Sequence, residues 1–229
     1  MDNLFSVLSI DDKDDDVSNS SSPSSASSSL PGNSRKTDES EKSSTVCAMP
    51  LVWIDLEMTG LNVELDRIVE IACIVTDGKL KKIIEGPNLV IRQSVECMNQ
   101  MNEWCVVHHG ASGLTEEVLK STISEEEAEE QVIEFVKQHV GSNTPLLAGN
   151  TVYMDFIFLK KYMPRLASLL SYNIVDVSSV RALCARWYPN EFKKTPLKGN
   201  KHRAMPDIRE SIQELMYYRE SIFGRRPKK

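Results

Sequence analysis

From Leu51 onward, apolar residues fall into short runs with punctuation between them. Leu51–Leu56 and Arg67–Thr76 have the length and β-branched content of strands. Asp77-Gly78 predicts a two-residue hairpin turn into a third strand, Leu80–Glu85, which Leu89–Arg92 extends. Ser124-Glu-Glu-Glu127 then forms a capping box, with Ala128, Val132, Phe135, Val136 and Val140 at helical spacing behind it. Pro145–Ala148 reads as a short strand, and Asp155–Met163 has helical period and stops at Pro164. Asn173–Val177 reads as a strand and Ser178–Trp187 as a helix. A last helix runs from about Ala204 to Ile222, with Ile208, Ile212, Leu215 and Met216 on one face. Three strands, helix, strand, helix, strand, helix, helix is the order of a single α/β domain with a mixed sheet flanked by helices.

Composition changes the picture at the ends. Residues 1–48 contain 15 Ser and nine acids against four basic residues, and 11–48 hold no aromatic. Such a segment cannot bury enough apolar surface to offset the entropy of ordering it, so a disordered tail over 1–48 is expected. The folded domain is then 49–224, and a product beginning at Met49 is expected to keep everything that folds. Residues 225–229 form a short basic tail. The acidic segment carries −5 of the formal −6, leaving the rest of the chain at −1. That excludes a binder working through bulk positive charge, though not a local basic patch. No apolar run approaches the roughly 20 residues of a membrane span. Five scattered Cys without a CxxC pair point to free thiols in a reducing compartment. The tail's nine acids and single Arg argue against a mitochondrial transit peptide, so a cytoplasmic protein is expected.

Candidate chemistry lies in four acids and a histidine. Strand alternation puts Trp53, Asp55 and Glu57 on one face and Val52, Ile54 and Leu56 on the other. Two acids on one face of a central strand repel and lose hydration unless a cation lies between them. A frayed strand end in water would explain the pair equally simply. Asp155 opens a helix, and Asp207 lies in the first turns of another, five residues after His202. Each alone is explained by the helix dipole. Together they come from a strand end and two helix starts, which converge on one edge of an open α/β sheet. Three or four carboxylates there suit hard cations such as Mg²⁺ or Mn²⁺, two of which can stabilise both oxygens of a phosphodiester displacement. A neutral His beside them can take a proton.

The order Asp55-x-Glu57, Asp155, His202-x4-Asp207 resembles the DEDD exonuclease superfamily in its His-containing branch, with an RNase H-like fold. Within it the chain is most similar to the oligoribonuclease family, on several longer segments. These are Leu51-Val-Trp-Ile-Asp-Leu-Glu-Met-Thr-Gly-Leu61, Asp66-Arg-Ile-Val-Glu-Ile-Ala72, His109-Gly-Ala-Ser-Gly-Leu114, Lys161-Tyr-Met-Pro164, Ile208-Arg-Glu-Ser211 and Tyr217-Tyr-Arg-Glu220. The resemblance covers about residues 50–223. It implies a 3′→5′ exoribonuclease cutting short single-stranded RNA, down to dinucleotides, into nucleoside 5′-monophosphates. By that likeness Asp55, Glu57, Asp155 and Asp207 hold two ions, Mg²⁺ or Mn²⁺, and His202 is the general base. Leu61 wedges against a base, Trp104 packs near the substrate, and His109 caps the terminal phosphate. Thr151 contacts phosphate, and Tyr172 reaches the active site across a homodimer. Without the resemblance, core packing would account for Leu61 and Trp104, and a strand-flanking aromatic for Tyr172.

Three positions depart from the family pattern. Thr151 stands where Ser is usual, Phe156-Ile157 where basic residues follow the third acid, and Pro206 where an acid precedes Asp207. Two other readings follow: an exonuclease acting on single-stranded DNA, and a catalytically impaired nucleic-acid-binding homologue. Cys97, Cys105, His108 and His109 lie close together but match no established zinc spacing.

Overall fold

A computed structural model describes residues 46–199 and 202–224. The expectations for the Ser-rich segment up to residue 45 and for the basic run 225–229 lie outside the described residues. The sheet is built from β1 (Leu51–Met58), β2 (Ile68–Thr76), β3 (Ile83–Val90), β4 (Leu146–Gly149) and β5 (Ile174–Asp176) in the order β3-β2-β1-β4-β5. The first three strands are antiparallel neighbours, and β4 and β5 run parallel to β1. This is the mixed sheet that the sequence predicts.

β1 and β2 are covered on both faces and read as nearly continuous apolar runs, as central strands do. At the edge, β3 alternates between exposed and half-buried positions and contains Pro87, which an edge strand tolerates because one side needs no ladder donor. Alternation along β1 separates two cores. Val52, Ile54 and Leu56 face α4 (Glu125–Val140), α5 (Tyr153–Tyr162) and α6 (Pro164–Leu169). Trp53, with Ala72 and Ile74 of β2, packs against Ala204, Met205, Ile208 and Ile212 of α9 (Ala204–Tyr218). A fully buried aliphatic side chain contributes about 1.5–3 kcal/mol, against about 0–1 for an exposed ion pair. Ile208 and Ile212 therefore hold α9 to the sheet more strongly than its surface charges do.

Several local expectations change. Asp77-Gly78 is not a tight hairpin. Asp77 Oδ1 accepts from the N–H groups of Lys81 and Lys82, making a longer connection in which Leu80 takes a left-handed φ of 52°. Third-strand pairing accordingly begins at Ile83, and the two apolar pieces merge into β3. Met163 breaks the helix before Pro164, but Pro164 starts α6 rather than a loop, as the first helical position allows. Besides α6, four helices went unread in the sequence: α1 (Val95–Met98), α2 (Glu103–Ala111), α3 (Leu114–Lys120) and α8 (Pro189–Phe192). They are short and mostly exposed, so they carry little apolar period. After β5 come α7 (Val177–Trp187) and α8 (Pro189–Phe192), and α9 runs on into a π-helical turn over Arg219–Phe223. The folded part also starts before Met49: Cys47 is buried in the core, and its N–H donates to the His139 carbonyl at 2.8 Å.

Gly149 ends β4 where backbone and side chains meet closely. A Cβ there would lie 2.8 Å from Val152 Cγ2 and 3.0 Å from the Ile54 carbonyl oxygen. Gly149→Ala should therefore cost about 1–3 kcal/mol of stability, read as a lowered Tm in thermal unfolding.

Candidate active site

β1 delivers Asp55 and Glu57 on the α9 side of the sheet, and a register shift against β2 follows directly after Glu57. Such an irregularity bends the strand end and re-aims its side chains. α9 brings Asp207 in its first turn. One carboxylate oxygen from each of Asp55, Glu57 and Asp207 lies within 4.8 Å of the others. Among the described residues this triplet alone groups three potential metal ligands, and Cys97, Cys105, His108 and His109 form no such group. Asp155, in the first turn of α5, is buried, and its Oδ1 accepts from the Leu56 N–H at 2.9 Å. Its charge is the largest charged influence on Asp55, so it stands beside the triplet with one oxygen already engaged.

The acids are crowded and dry. Burial pushes Asp55 well above the usual carboxylate range, and Asp155, Glu57 and Asp207 push it further. Burial, then Glu70, Asp207 and Asp155, takes Glu57 to about 8, with Arg203 opposing. Burial holds Asp155 at about 7 and also raises Asp207. An all-oxygen donor set whose members cannot comfortably ionise together fits a hard divalent cation.

His202 lines a cavity of about 190 Å³ with Asp55, Asn150, Lys198, Asp207, Glu210 and Ser211. Its backbone takes a left-handed φ of 49°, and its ring meets Trp104 edge-on at 5.1 Å and His108 at 4.7 Å. His108 stacks on Trp104 at 3.9 Å, and its Nδ1 lies 2.7 Å from the Trp104 carbonyl, which can only accept. His108 therefore joins the site, a role the sequence reading missed. Its spacing of four from Trp104, which puts both on one helix face, was the available signal. A neighbouring pocket of about 460 Å³ is lined by Glu57, Leu61, Asn102 and Trp104. Leu61 is 68% exposed and Trp104 52%, so neither is a core residue. Asp66 holds the loop that presents Leu61, accepting from Thr59 Oγ1 and the Asn62 N–H.

The remaining expected residues are distributed unevenly. Thr151 adopts a φ of 58°, unusual for a β-branched residue, and its N–H donates to Asp176 Oδ1 at 2.9 Å. His109, which the resemblance sets against a terminal phosphate, is buried beside Glu57. It is 1% exposed, with Nε2 on the Met58 carbonyl at 2.9 Å and Nδ1 3.9 Å from Glu57 Oε2. Because Met58 O fixes the ring inward, the structure sets it behind Glu57. Tyr172 is 87% exposed and lines neither cavity. Of the departures, Phe156 is in the core under the Lys160 ammonium, 4.1 Å from its ring centroid, and Ile157 is exposed. Pro206 falls in the first turn of α9, where backbone N–H groups have no helical partner, so its missing donor costs nothing.

These shifts set a pH dependence. Glu57 and Asp155 bind protons more tightly folded than unfolded, so they favour the folded state below their ordinary values of 4.5 and 3.8. That contribution is lost as pH rises through about 7–8. In EDTA, Tm should fall from pH 5 to pH 8.5, Glu57→Gln should flatten the fall, and Mg²⁺ should raise Tm more at pH 8 than at pH 5.5. A cation-free Tm that does not fall over this range would contradict the crowding.

Comparison with known proteins agrees with this arrangement. The RNase_T exonuclease family model matches residues 52–215. Oligoribonuclease of Arabidopsis thaliana is 58% identical over 224 residues, covering 98% of this chain and 97% of that protein. The mitochondrial oligoribonuclease of Homo sapiens is 49% identical over 179 residues, covering 78% and 76%. Among solved structures, E. coli exonuclease I with a dA16 oligonucleotide superposes with a TM-score of 0.60 at 16% identity, over 76% of this chain and 42% of that one. At that identity it shows the RNase H-like exonuclease fold alone. The chain belongs to the oligoribonuclease family of DEDD exonucleases.

Proposed function

We propose that this protein is a 3′→5′ exoribonuclease that shortens small single-stranded RNAs, down to dinucleotides, to nucleoside 5′-monophosphates. The observation that carries the reading is the convergence of Asp55, Glu57 and Asp207 within 4.8 Å, with His202 lining the same cavity. Asp55, Glu57, Asp207 and, through its free oxygen, Asp155 are the residues that would hold two divalent ions, Mg²⁺ or Mn²⁺. When bound, such ions neutralise charge on the phosphodiester oxygens and acidify an attacking water.

The chain's own residues do the rest. His202 accepts the proton of the attacking water, and its lack of a hydrogen bond to any described residue leaves the ring nitrogens open for this. Leu61 and Trp104, both exposed beside Glu57, stack against the terminal bases. With its N–H engaged by Asp176, Thr151 offers its hydroxyl to phosphate. His109, whose Nδ1 is buried without a hydrogen-bond partner beside Glu57, would cap the terminal phosphate. Near neutrality of the chain beyond its acidic segment favours affinity from stacking and end contacts over a long basic groove.

A homodimer is part of the proposal. Tyr172 precedes the edge strand β5, Leu183 and Trp187 are exposed on α7, which follows it, and Tyr153 and Ile157 are exposed on α5. A second copy covering this region would bury them and could bring Tyr172 to the partner's site. No described helix is long and apolar enough to cross a membrane. We place the protein in the cytoplasm on the acid content of residues 1–48, although the human relative is named as mitochondrial.

End-labelled RNAs of about two to ten nucleotides and matched DNAs, incubated with Mg²⁺, Mn²⁺ or EDTA, test the reading. Stepwise loss of 3′ mononucleotides is expected, fastest on the shortest RNA and abolished by EDTA. Asp55→Asn, Asp207→Asn and His202→Ala should each lower kcat on the order of 10³-fold or more. Faster cleavage of DNA would move the chain to the DNA-exonuclease reading, and no cleavage of either would leave a binding protein.

A further inference from the structure

Behind the acid triplet lies a second charged assembly with no ligand-holding role in the mechanism above. Glu70 of β2 is the antiparallel Cα partner of Glu57, so the two side chains project from neighbouring positions on one face. Glu70 is fully buried. A bare carboxylate there would repel Glu57 and Asp55 at close range with little water to screen it. Arg203 answers it: Nε lies 3.2 and 3.1 Å from the two Glu70 oxygens, and Nη2 3.0 Å from Oε1. The same guanidinium turns its other edge to Glu117 of α3, with Nη2 at 2.7 Å and Nη1 at 3.2 Å. Glu70 also accepts from the Ala204 N–H at 3.2 Å, which fastens the start of α9 to β2.

The location matters more than the number of bonds. Arg203 directly follows His202, whose backbone is in the left-handed region and whose ring has no hydrogen bond to a described residue. Packing of Ile208 and Ile212 holds the body of α9 but does not fix the residue before the helix. Arg203 does, by a planar fork that matches two carboxylates at once. One of those acids sits behind Glu57. The other sits on the helix that follows the Trp104–His108 stack against which the His202 ring rests. Resting on the reading of His202 as proton acceptor, we propose that Arg203 is the positioning residue of the site. Through Glu70 and Glu117 it fixes His202 relative to both the metal-holding acids and the aromatic platform.

Two variants of the full chain test this without dismantling the core. Glu117 is about half exposed, so Glu117→Ala should fold normally, while Arg203→Lys keeps the charge and loses the fork. Both should lower kcat by about 10- to 100-fold with KM within about twofold, as a displaced catalytic group does. Combining Glu117→Ala with Arg203→Lys should lose less than the two single losses combined. In parallel, the His202 imidazole resonance, shifted by the Trp104 and His108 rings, should move towards that of a free histidine in each variant. Wild-type kcat in both single variants, losses confined to KM, additive losses, or an unmoved His202 resonance would each overturn the inference. The resonance decides the positioning even if the wild type proves inactive on RNA, so failure of the functional reading and failure of the positioning are separate results.

Discussion

Mutual repulsion among buried carboxylates is the constraint around which this fold is arranged. Asp55, Glu57, Asp155 and Asp207 meet where water is scarce, and the charges of Asp155 and Asp207 raise the proton affinity of both Asp55 and Glu57. Such a cluster does not assemble by attraction, so other forces must impose it. Two apolar cores do this: β1 is clamped between the α4–α6 layer and α9, and its strand end has nowhere else to go. Secondary contacts then dispose of what packing leaves over. The Leu56 N–H takes one oxygen of Asp155, and Arg203 absorbs the charge of Glu70. Stability is thus spent, in the apolar layers, on holding an arrangement that bound protons or a bound cation relieve.

Much of this is readable from the residues alone. The two-residue period of β1 puts Trp53, Asp55 and Glu57 on one face, and that is the face that packs against α9. The capping box at Ser124 forms with both of its bonds, since that motif is local and needs no tertiary partner. The failures have the opposite character. Asp77-Gly78 promised a tight turn, but the Asp77 side chain found two N–H donors farther along and drew the chain into a longer loop. The helix carrying Trp104 and His108 escaped notice because it is short and mostly exposed, so little apolar period marks it. Arg203 and Glu70 were invisible because their relation spans more than 130 residues of chain.

The aromatic platform and the acids divide the work along the same line. The acids gather at the end of β1, whereas Leu61 and Trp104 line the neighbouring pocket and His108 stacks on Trp104. His202 touches both groups: its ring rests on Trp104 and His108, and its cavity is shared with Asp55 and Asp207.

Thr151 carries two demands that oppose each other. Its backbone conformation is one that glycine or asparagine would adopt freely, while the hydroxyl there exists only on serine or threonine. Asp176 reconciles them by gripping the Thr151 N–H, and it does so with the same oxygen that caps α7. One oxygen of Asp176 therefore ties the turn after β4 to the start of α7, so its loss would loosen both at once.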